Sequence, residues 1–189
     1  MPAAPARCQL YLAAPAEPAP DFAPVLGALL EAVPVACLSL PPLPAMKDLA
    51  NLAQARGTAV VLREDFELAS VTGADGVHLG GIERYGAARR RLGPEAIVGV
   101  ACGGSRHAAM EAGEAGADYV ALAADLELIG WWAELMVVPV VAELGEALDM
   151  AGALAAAGAD FVAAGEALWR DPASALAAAK RLAAAISAG

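Results

Sequence analysis

Leu68-Ala69-Ser70-Val71-Thr72-Gly73-Ala74-Asp75-Gly76-Val77-His78-Leu79-Gly80 is the stretch whose reading decides the fold. A helical pattern stops at a glycine, Ala-Asp follows, and a short apolar run starts at once. The same turn returns as Gly116-Ala117-Asp118 before Tyr119-Val120-Ala121-Leu122, and as Gly158-Ala159-Asp160 before Phe161-Val162-Ala163-Ala164. Glycine ends a helix at such a point by taking the left-handed conformation that other residues resist. The Ala-Asp after it starts the turn into a strand. The aspartates fall 43 and 42 residues apart, the length of two strand–helix units, so the chain reads as a serial α/β protein.

Outward from these anchors, apolar runs bounded by turn residues predict strands over 9–13, 35–40, 59–63, 76–79, 97–102, 119–123, 138–142 and 161–164. They are almost continuously hydrophobic rather than alternating, as parallel strands covered on both faces are. Helices are predicted between them over 21–32, 45–56, 66–72, 83–92, 105–115, 127–136, 146–157 and 172–187. The last has Asp171 as N-cap and Pro172 at its first position. Eight strands each followed by a helix predict a (β/α)8 TIM barrel, a single domain over 1–189 with short loops. An open doubly wound sheet does not need so even a spacing.

Composition sets limits. Lys and Arg number 12 against 22 Asp and Glu, a net charge of −10, which argues against nucleic-acid or anionic-membrane surfaces as partners. No stretch reaches the ~20 apolar residues that span a bilayer. Residues 1–7 lack the charged-then-apolar pattern of an export signal, so a cytoplasmic location is expected. Cys8, Cys37 and Cys102 lie in or beside predicted strands and read as buried thiols. Trp131, Trp132 and Trp169 read as core or interface residues.

Barrels of this type carry their chemistry at the carboxyl ends of the strands and their stability at the other end. The Gly-Ala-Asp turns precede their strands, so their aspartates belong to the stability end. The informative residues follow the strands: Pro15, Pro41-Pro42, Arg63-Glu64-Asp65, Gly80-Gly81 to Glu83, Gly103-Gly104, Asp125, Glu143 to Gly145, and Gly165-Glu166. Glu64, Asp65, Glu83, Asp125, Glu143 and Glu166 are expected to form an acidic mouth, offset by Arg63, Arg84 and Arg106. A mouth of that sign attracts cations and disfavours free diphosphate.

Gly73-Ala74-Asp75-Gly76-Val77-His78-Leu79-Gly80 resembles the thiamine-phosphate synthase family, which includes TenI-like thiazole tautomerases. Leu10-Tyr11-Leu12, Leu68-Ala69, Ile97-Val98-Gly99-Val100, Ala115-Gly116-Ala117-Asp118-Tyr119-Val120 and Pro139-Val140-Val141-Ala142 resemble the family's other phrases in order. The resemblance implies a TIM barrel and a transferase reaction of thiamine biosynthesis. In it an aminopyrimidine diphosphate loses diphosphate, and a thiazole phosphate nitrogen attacks the resulting cation. It also implies Mg2+ for the leaving diphosphate.

Carried over position by position, the resemblance places Arg63 and Glu64 at the family's catalytic Asn-Asp after the third strand. It makes Glu64 and Glu83 the Mg2+ ligands, and assigns substrate contacts to His78, Ala101, Gly145, Gly165 and Glu166. The chain departs from the family elsewhere. A Gln-x-Arg-x-Lys pattern is replaced by Cys37-Leu38-Ser39-Leu40-Pro41, with Lys47 several residues late. A serine is Ala101, a Thr-x-Thr-Lys loop is absent where Ala123-Ala124-Asp125-Leu126 stands, and Gly-Gly is Leu144-Gly145. Glu166 stands where a small residue usually meets phosphate. His107 lies about four residues past the histidine of a tautomerase.

Three readings therefore stand for this divergent paralogue: a thiamine-phosphate synthase with a reworked pocket, a TenI-like thiazole isomerase, or a non-catalytic, regulatory small-molecule-binding barrel. Whether it is an enzyme stays open at this level. A small-molecule ligand at the barrel mouth is expected, with no nucleic acid and no membrane as partner, and assembly as a homo-oligomer stays open.

Overall fold

In the computed structural model, which describes residues 8–43 and 46–189, the three repeat glycines have φ of 78° (Gly73), 93° (Gly116) and 105° (Gly158). Each following aspartate grips one residue of the preceding strand from both sides. The Asp75 carboxylate accepts from the Val60 amide at 2.7 Å and its own amide donates to the Val60 carbonyl. Asp118 does the same to Val98, and Asp160 to Val140. The repeat is thus a clamp that sets the register of every second strand pair at the amino end of the sheet. Asp160→Ala is expected to cost about 1–3 kcal/mol in a urea titration, because it strips the Val140 amide of its acceptor.

The strands are β1 (Gln9–Ala13), β2 (Cys37–Leu40), β3 (Ala59–Arg63), β4 (Gly76–Leu79), β5 (Ile97–Gly103), β6 (Tyr119–Ala123), β7 (Val140–Glu143) and β8 (Phe161–Ala164). All pair in parallel, in sequence order, and β8 closes on β1, giving the expected TIM barrel. The helices are α1 (Phe22–Ala32), α2 (Met46–Gln54), α3 (Phe66–Thr72), α4 (Tyr85–Leu92), α5 (Arg106–Ala115), α6 (Leu126–Leu135), α7 (Ala151–Ala156), α8 (Glu166–Trp169) and α9 (Pro172–Ala188). Ala45, the expected start of the second helix, lies outside the described residues.

Departures from expectation have local causes. β7 starts at Val140 rather than 138, since Pro139 has no amide to give to the sheet. The helices expected over 83–92 and 146–157 open as 3-10 turns, Ile82–Arg84 and Leu148–Met150, before α4 and α7 begin. The four-residue α8 was not expected.

Alternation along the strands divides two cores. Leu10, Leu38, Val60, Val77, Val120, Val140 and Val162 pack outward against the helices. Tyr11, Cys37, Val61, Tyr119, Ala121, Val141 and Ala163 fill the barrel interior. Gly99 faces the same interior, where a Cβ would collide with the Tyr119 ring. Cys37 and Cys102 are buried and Cys8 is half-buried, all free. Burial is the main cause that pushes these thiols up, to about 12 for Cys37 and about 11 for Cys8 and Cys102. Trp132 is 1% exposed and donates to the Val138 carbonyl, while Trp169 donates to the Ala13 carbonyl and packs edge-on against Phe22. Among the described residues, no helix is long and apolar enough to cross a membrane.

Gly116→Val is expected to cost about 1–3 kcal/mol in chemical denaturation, since valine must enter the left-handed region. The added Cβ would also press on the Tyr85 hydroxyl, 3.2 Å away.

Candidate functional site at the barrel mouth

Two residues beyond the interior core, each strand ends at the carboxyl-end opening. Inward positions there are mostly small: Ala13, Ser39, Ala101, Ala123 and Gly165. Two long side chains break that pattern, Arg63 following Val61 on β3 and Glu143 following Val141 on β7. Strands β3 and β7 are four apart in an eight-stranded ring, so the two come from opposite walls.

Arg63 donates from Nη2 to the Ala14 carbonyl at 2.7 Å, and the Ala14 amide donates to the Ser39 carbonyl. The guanidinium of β3 therefore reaches across the end of β2 to β1. Burial draws its pKa down, while Tyr11 and then Glu166 push it back; an arginine remains charged throughout. Burial alone raises the Glu143 carboxyl, with no hydrogen bond or ion pair from the described residues to offset it.

Beneath the opening runs a buried polar chain. The Tyr11 and Tyr119 hydroxyls lie 3.1 Å apart, and His78 Nδ1 is 2.8 Å from the Tyr119 hydroxyl. The His78 ring stacks on Tyr119 at 5.8 Å. Burial first, and Arg63 second, push the His78 pKa down to about 4, so the imidazole is neutral at physiological pH. Both phenols are held well above their ordinary value by burial and stay protonated. Ser39 Oγ, at 2% exposure, is the one buried side-chain polar atom without a partner among the described residues.

Glu64 is the one non-glycine residue with positive φ among those described, at 64°, a conformation that costs about 1–3 kcal/mol and must be held by its surroundings. The holding groups are visible. Its carboxylate accepts from the Gly80 amide, its carbonyl accepts from Arg84 at 2.8 Å, and the Arg84 guanidinium lies over the Phe66 ring. A further Arg84 contact to the carboxylate, at 3.5 Å, joins two half-exposed groups and contributes little.

Glu83 sits on the 3-10 turn, exposed, with its carboxylate against Gly81. Glu64 and Glu83 thus flank consecutive glycines. No group of three His, Cys, Asp or Glu suited to a metal occurs among the described residues. Two hard carboxylates still fit Mg2+, which takes one or two of them and completes its shell with water and phosphate oxygens.

The remaining candidates are spread around the rim. Ala101 lies on β5 where the register against β6 shifts. Gly145 is exposed with φ 53°, and a Cβ there would meet nothing within 4 Å. Gly165 is the N-cap of α8. Glu166 accepts from the Ala16 amide at 3.0 Å, which fastens the β8 end to the loop after β1.

Three of the expected rim groups have bonding partners of their own. Asp65 and Asp125 are N-caps, accepting from the Leu68 and Leu128 amides at 2.8 and 3.0 Å. Arg106 pairs with Glu127 on the outer helices and lies over Trp131. Arg63 and Glu143 are the long side chains that reach inward from strands β3 and β7. His107 is exposed on α5, apart from the interior chain. Sequence reasoning did not single out Tyr11, Tyr119 or Ser39; two-residue spacing from Cys37 and Val61 was the available signal.

The family model and the sequence relatives agree on one family. The family model described as thiamine monophosphate synthase, TMP-TENI, matches residues 43–168. A thiamine-phosphate synthase of Rhodospirillum centenum is 43% identical over 189 residues, covering 88% of this chain and 91% of that one. One of Hyphomonas neptunium is 42% identical over 132 residues, covering 62% of this chain and 60% of that one. Among solved structures, a thiamine phosphate pyrophosphorylase from Pyrococcus furiosus superposes with a TM-score of 0.80 at 22% identity, covering 96% of this chain and 98% of that one.

Proposed function

This chain belongs to the thiamine monophosphate synthase (TMP-TENI) family, and from that premise we propose that it is a transferase of thiamine biosynthesis. It joins an aminopyrimidine diphosphate to a thiazole phosphate at the barrel mouth, with weak hold on the departing diphosphate. The observation that carries the reading is Arg63. It is the inward guanidinium of the opening, while β2 runs into Pro41-Pro42 and β6 into Ala123-Ala124, neither offering a cation.

Arg63 directs its remaining N–H groups at an anion that enters the mouth. His78, held neutral and oriented by Tyr119, presents its other ring nitrogen as a hydrogen-bonding group without adding charge beside a developing cation. Ala101 leaves room for a flat ring. Gly145 and Gly165 leave backbone amides uncovered for a phosphate, whereas Glu166 stands beside that path with its carboxylate turned to Ala16. Glu64 and Glu83 would hold Mg2+, which would supply charge neutralisation to a leaving diphosphate.

Glu64→Ala is expected to abolish any Mg2+-dependent rise in melting temperature; an unchanged rise removes this pair as ligands. Release of diphosphate by the purified chain, given both substrates and Mg2+, tests the reaction itself. The second reading, a non-catalytic small-molecule-binding barrel, draws on Glu64 and Glu166, whose carboxylates already bond backbone amides within the chain. Binding of either substrate with no diphosphate released selects it.

A further inference from the structure

The buried chain of Tyr11, Tyr119 and His78 has a direction, and that direction decides which kind of group the imidazole offers. Both phenols keep their protons, their oxygens lie 3.1 Å apart, and His78 Nδ1 is 2.8 Å from the Tyr119 oxygen. Two proton arrangements fit these distances. In one, Tyr11 donates to Tyr119 and Tyr119 donates to His78 Nδ1, which leaves the imidazole proton on Nε2. In the other, His78 Nδ1 donates to Tyr119 and Tyr119 donates to Tyr11, so the Tyr11 proton needs an acceptor elsewhere. Tyr119 is the one hydrogen-bond partner of the Tyr11 hydroxyl among the described residues. In register beside Tyr11 on β2 stands the Cys37 thiol, and sulfur accepts weakly. Tyr11 is 3% exposed, and a buried phenol proton without a good acceptor is costly. The first arrangement avoids that cost. Nothing holds Nε2 as an acceptor either. Arg63, in register with His78 on β3, donates to the Ala14 carbonyl instead. Nε2 bonds to no described residue, yet Ser39 Oγ is the one fully buried side-chain polar atom without a partner, so solvent reaches Nε2.

We propose that Tyr119, with Tyr11 donating to it from behind, is a positioning residue that fixes His78 as the tautomer protonated on Nε2, so that the imidazole presents an uncharged hydrogen-bond donor. The bond made by one ring nitrogen sets the state of the other. Position is fixed along with protonation: the His78 ring stacks on Tyr119 with the two planes 19° apart. The Tyr119 ring in turn fills the space left by Gly99, where a Cβ would collide with it. A donor of this kind selects an acceptor atom on whatever lies against it, and a ligand that turns its own N–H or O–H toward Nε2 is rejected. That consequence rests on the reading of the mouth as the ligand site, whereas the tautomer is a property of the free chain.

Long-range proton–nitrogen NMR of the isotope-labelled chain near neutral pH reads the tautomer directly. His78 and His107 are the two histidines of the sequence, so His107→Gln assigns the signals. His78 is expected to show a protonated Nε2 and a bare Nδ1, this form outweighing the other by roughly tenfold or more, as for one buried hydrogen bond made or lost. Tyr119→Phe keeps the stacked ring and removes the hydroxyl alone. Its two His78 nitrogen signals are expected to converge as the tautomers mix, a change that a merely space-filling Tyr119 would not produce. Tyr11→Phe is expected to leave the signals in place, because Tyr119 then has only His78 to accept its proton. A protonated Nδ1 or an even mixture in the wild type overturns the proposal, as do signals that exchange places in Tyr11→Phe, which would mean a chain running the other way. Unmoved signals in Tyr119→Phe overturn the positioning role. The wild type and Tyr11→Phe decide the matter even where Tyr119→Phe does not fold. All of these signals come from the ligand-free chain, so absence of diphosphate release counts against the functional reading and not against the tautomer.

Discussion

Purified protein given the aminopyrimidine diphosphate, the thiazole phosphate and Mg2+ is expected to release diphosphate very slowly, ~10²-fold or more below a family member with basic groups after its second and sixth strands. Losing one preorganised donor to a developing anion typically costs about 2.7–4 kcal/mol, or 10²–10³ in rate. Here the end of β2 is Leu40-Pro41-Pro42, and β6 passes through Ala123-Ala124 into the Asp125 cap of α6. Neither stretch offers a cation to the departing group. Arg63 is the compensating candidate, since its guanidinium lies over the end of β2 where the family pattern carries its basic residues. One half-buried arginine tethered to Ala14 replaces part of what two loops supply, and the losses are not additive. Robust turnover that vanishes in Arg63→Ala overturns the expectation and establishes Arg63 as the relocated leaving-group residue. Turnover that survives Arg63→Ala overturns the reading of this mouth altogether.

The architecture was legible because it is repeated, whereas the site was written only once. Gly-Ala-Asp occurs before β4, β6 and β8 with a fixed physical task at each, so glycine conformation, strand start and period reinforce one another. β2 has no such turn; Ala36 stands before it, its amide donating to the Leu10 carbonyl and its carbonyl accepting from the Ala59 amide. Its expected start at 35 accordingly preceded the observed one at Cys37. The facing of residues could not be read, because parallel strands bury both faces. In Val60-Val61-Leu62 nothing distinguishes the inward Val61 from its outward neighbours.

That ambiguity hid the mouth. Arg63 and Glu143 end their strands and look like loop residues unless the inward set is known. Asp65 and Asp125 were read as rim acids although each stands directly before a helix, where an aspartate satisfies free amides. The buried chain of Tyr11, Tyr119 and His78 joins residues 108 and 41 positions apart, and no local pattern links them. The departures at Ile82–Arg84 and Leu148–Met150 were equally hidden, since single 3-10 turns have no period of their own.

The same buried chain makes acid stability the second large effect. His78 in the unfolded chain takes its proton near the ordinary 6.5, but in the folded barrel only near about 4. Between those values the unfolded state binds more protons, so stability rises with pH through the window. It is complete above about 6.5 and is lost as the pH falls toward 4. At pH 4.5 the loss through this residue comes to roughly 2–3 kcal/mol, at about 1.4 kcal/mol for each unit of displacement, a large part of a typical domain's 5–15 kcal/mol. Urea titrations at pH 7.5 and 4.5 for the wild type and His78→Phe isolate it. The phenylalanine ring can stack on Tyr119 and leaves the Tyr119 hydroxyl its bond to Tyr11, while the carboxylates that titrate in the same range remain in both proteins and cancel. The wild type is expected to lose about 2–3 kcal/mol more than the variant between the two pH values. Equal losses would mean that His78 takes its proton inside the folded barrel at little cost, and that the interior chain does not hold it neutral.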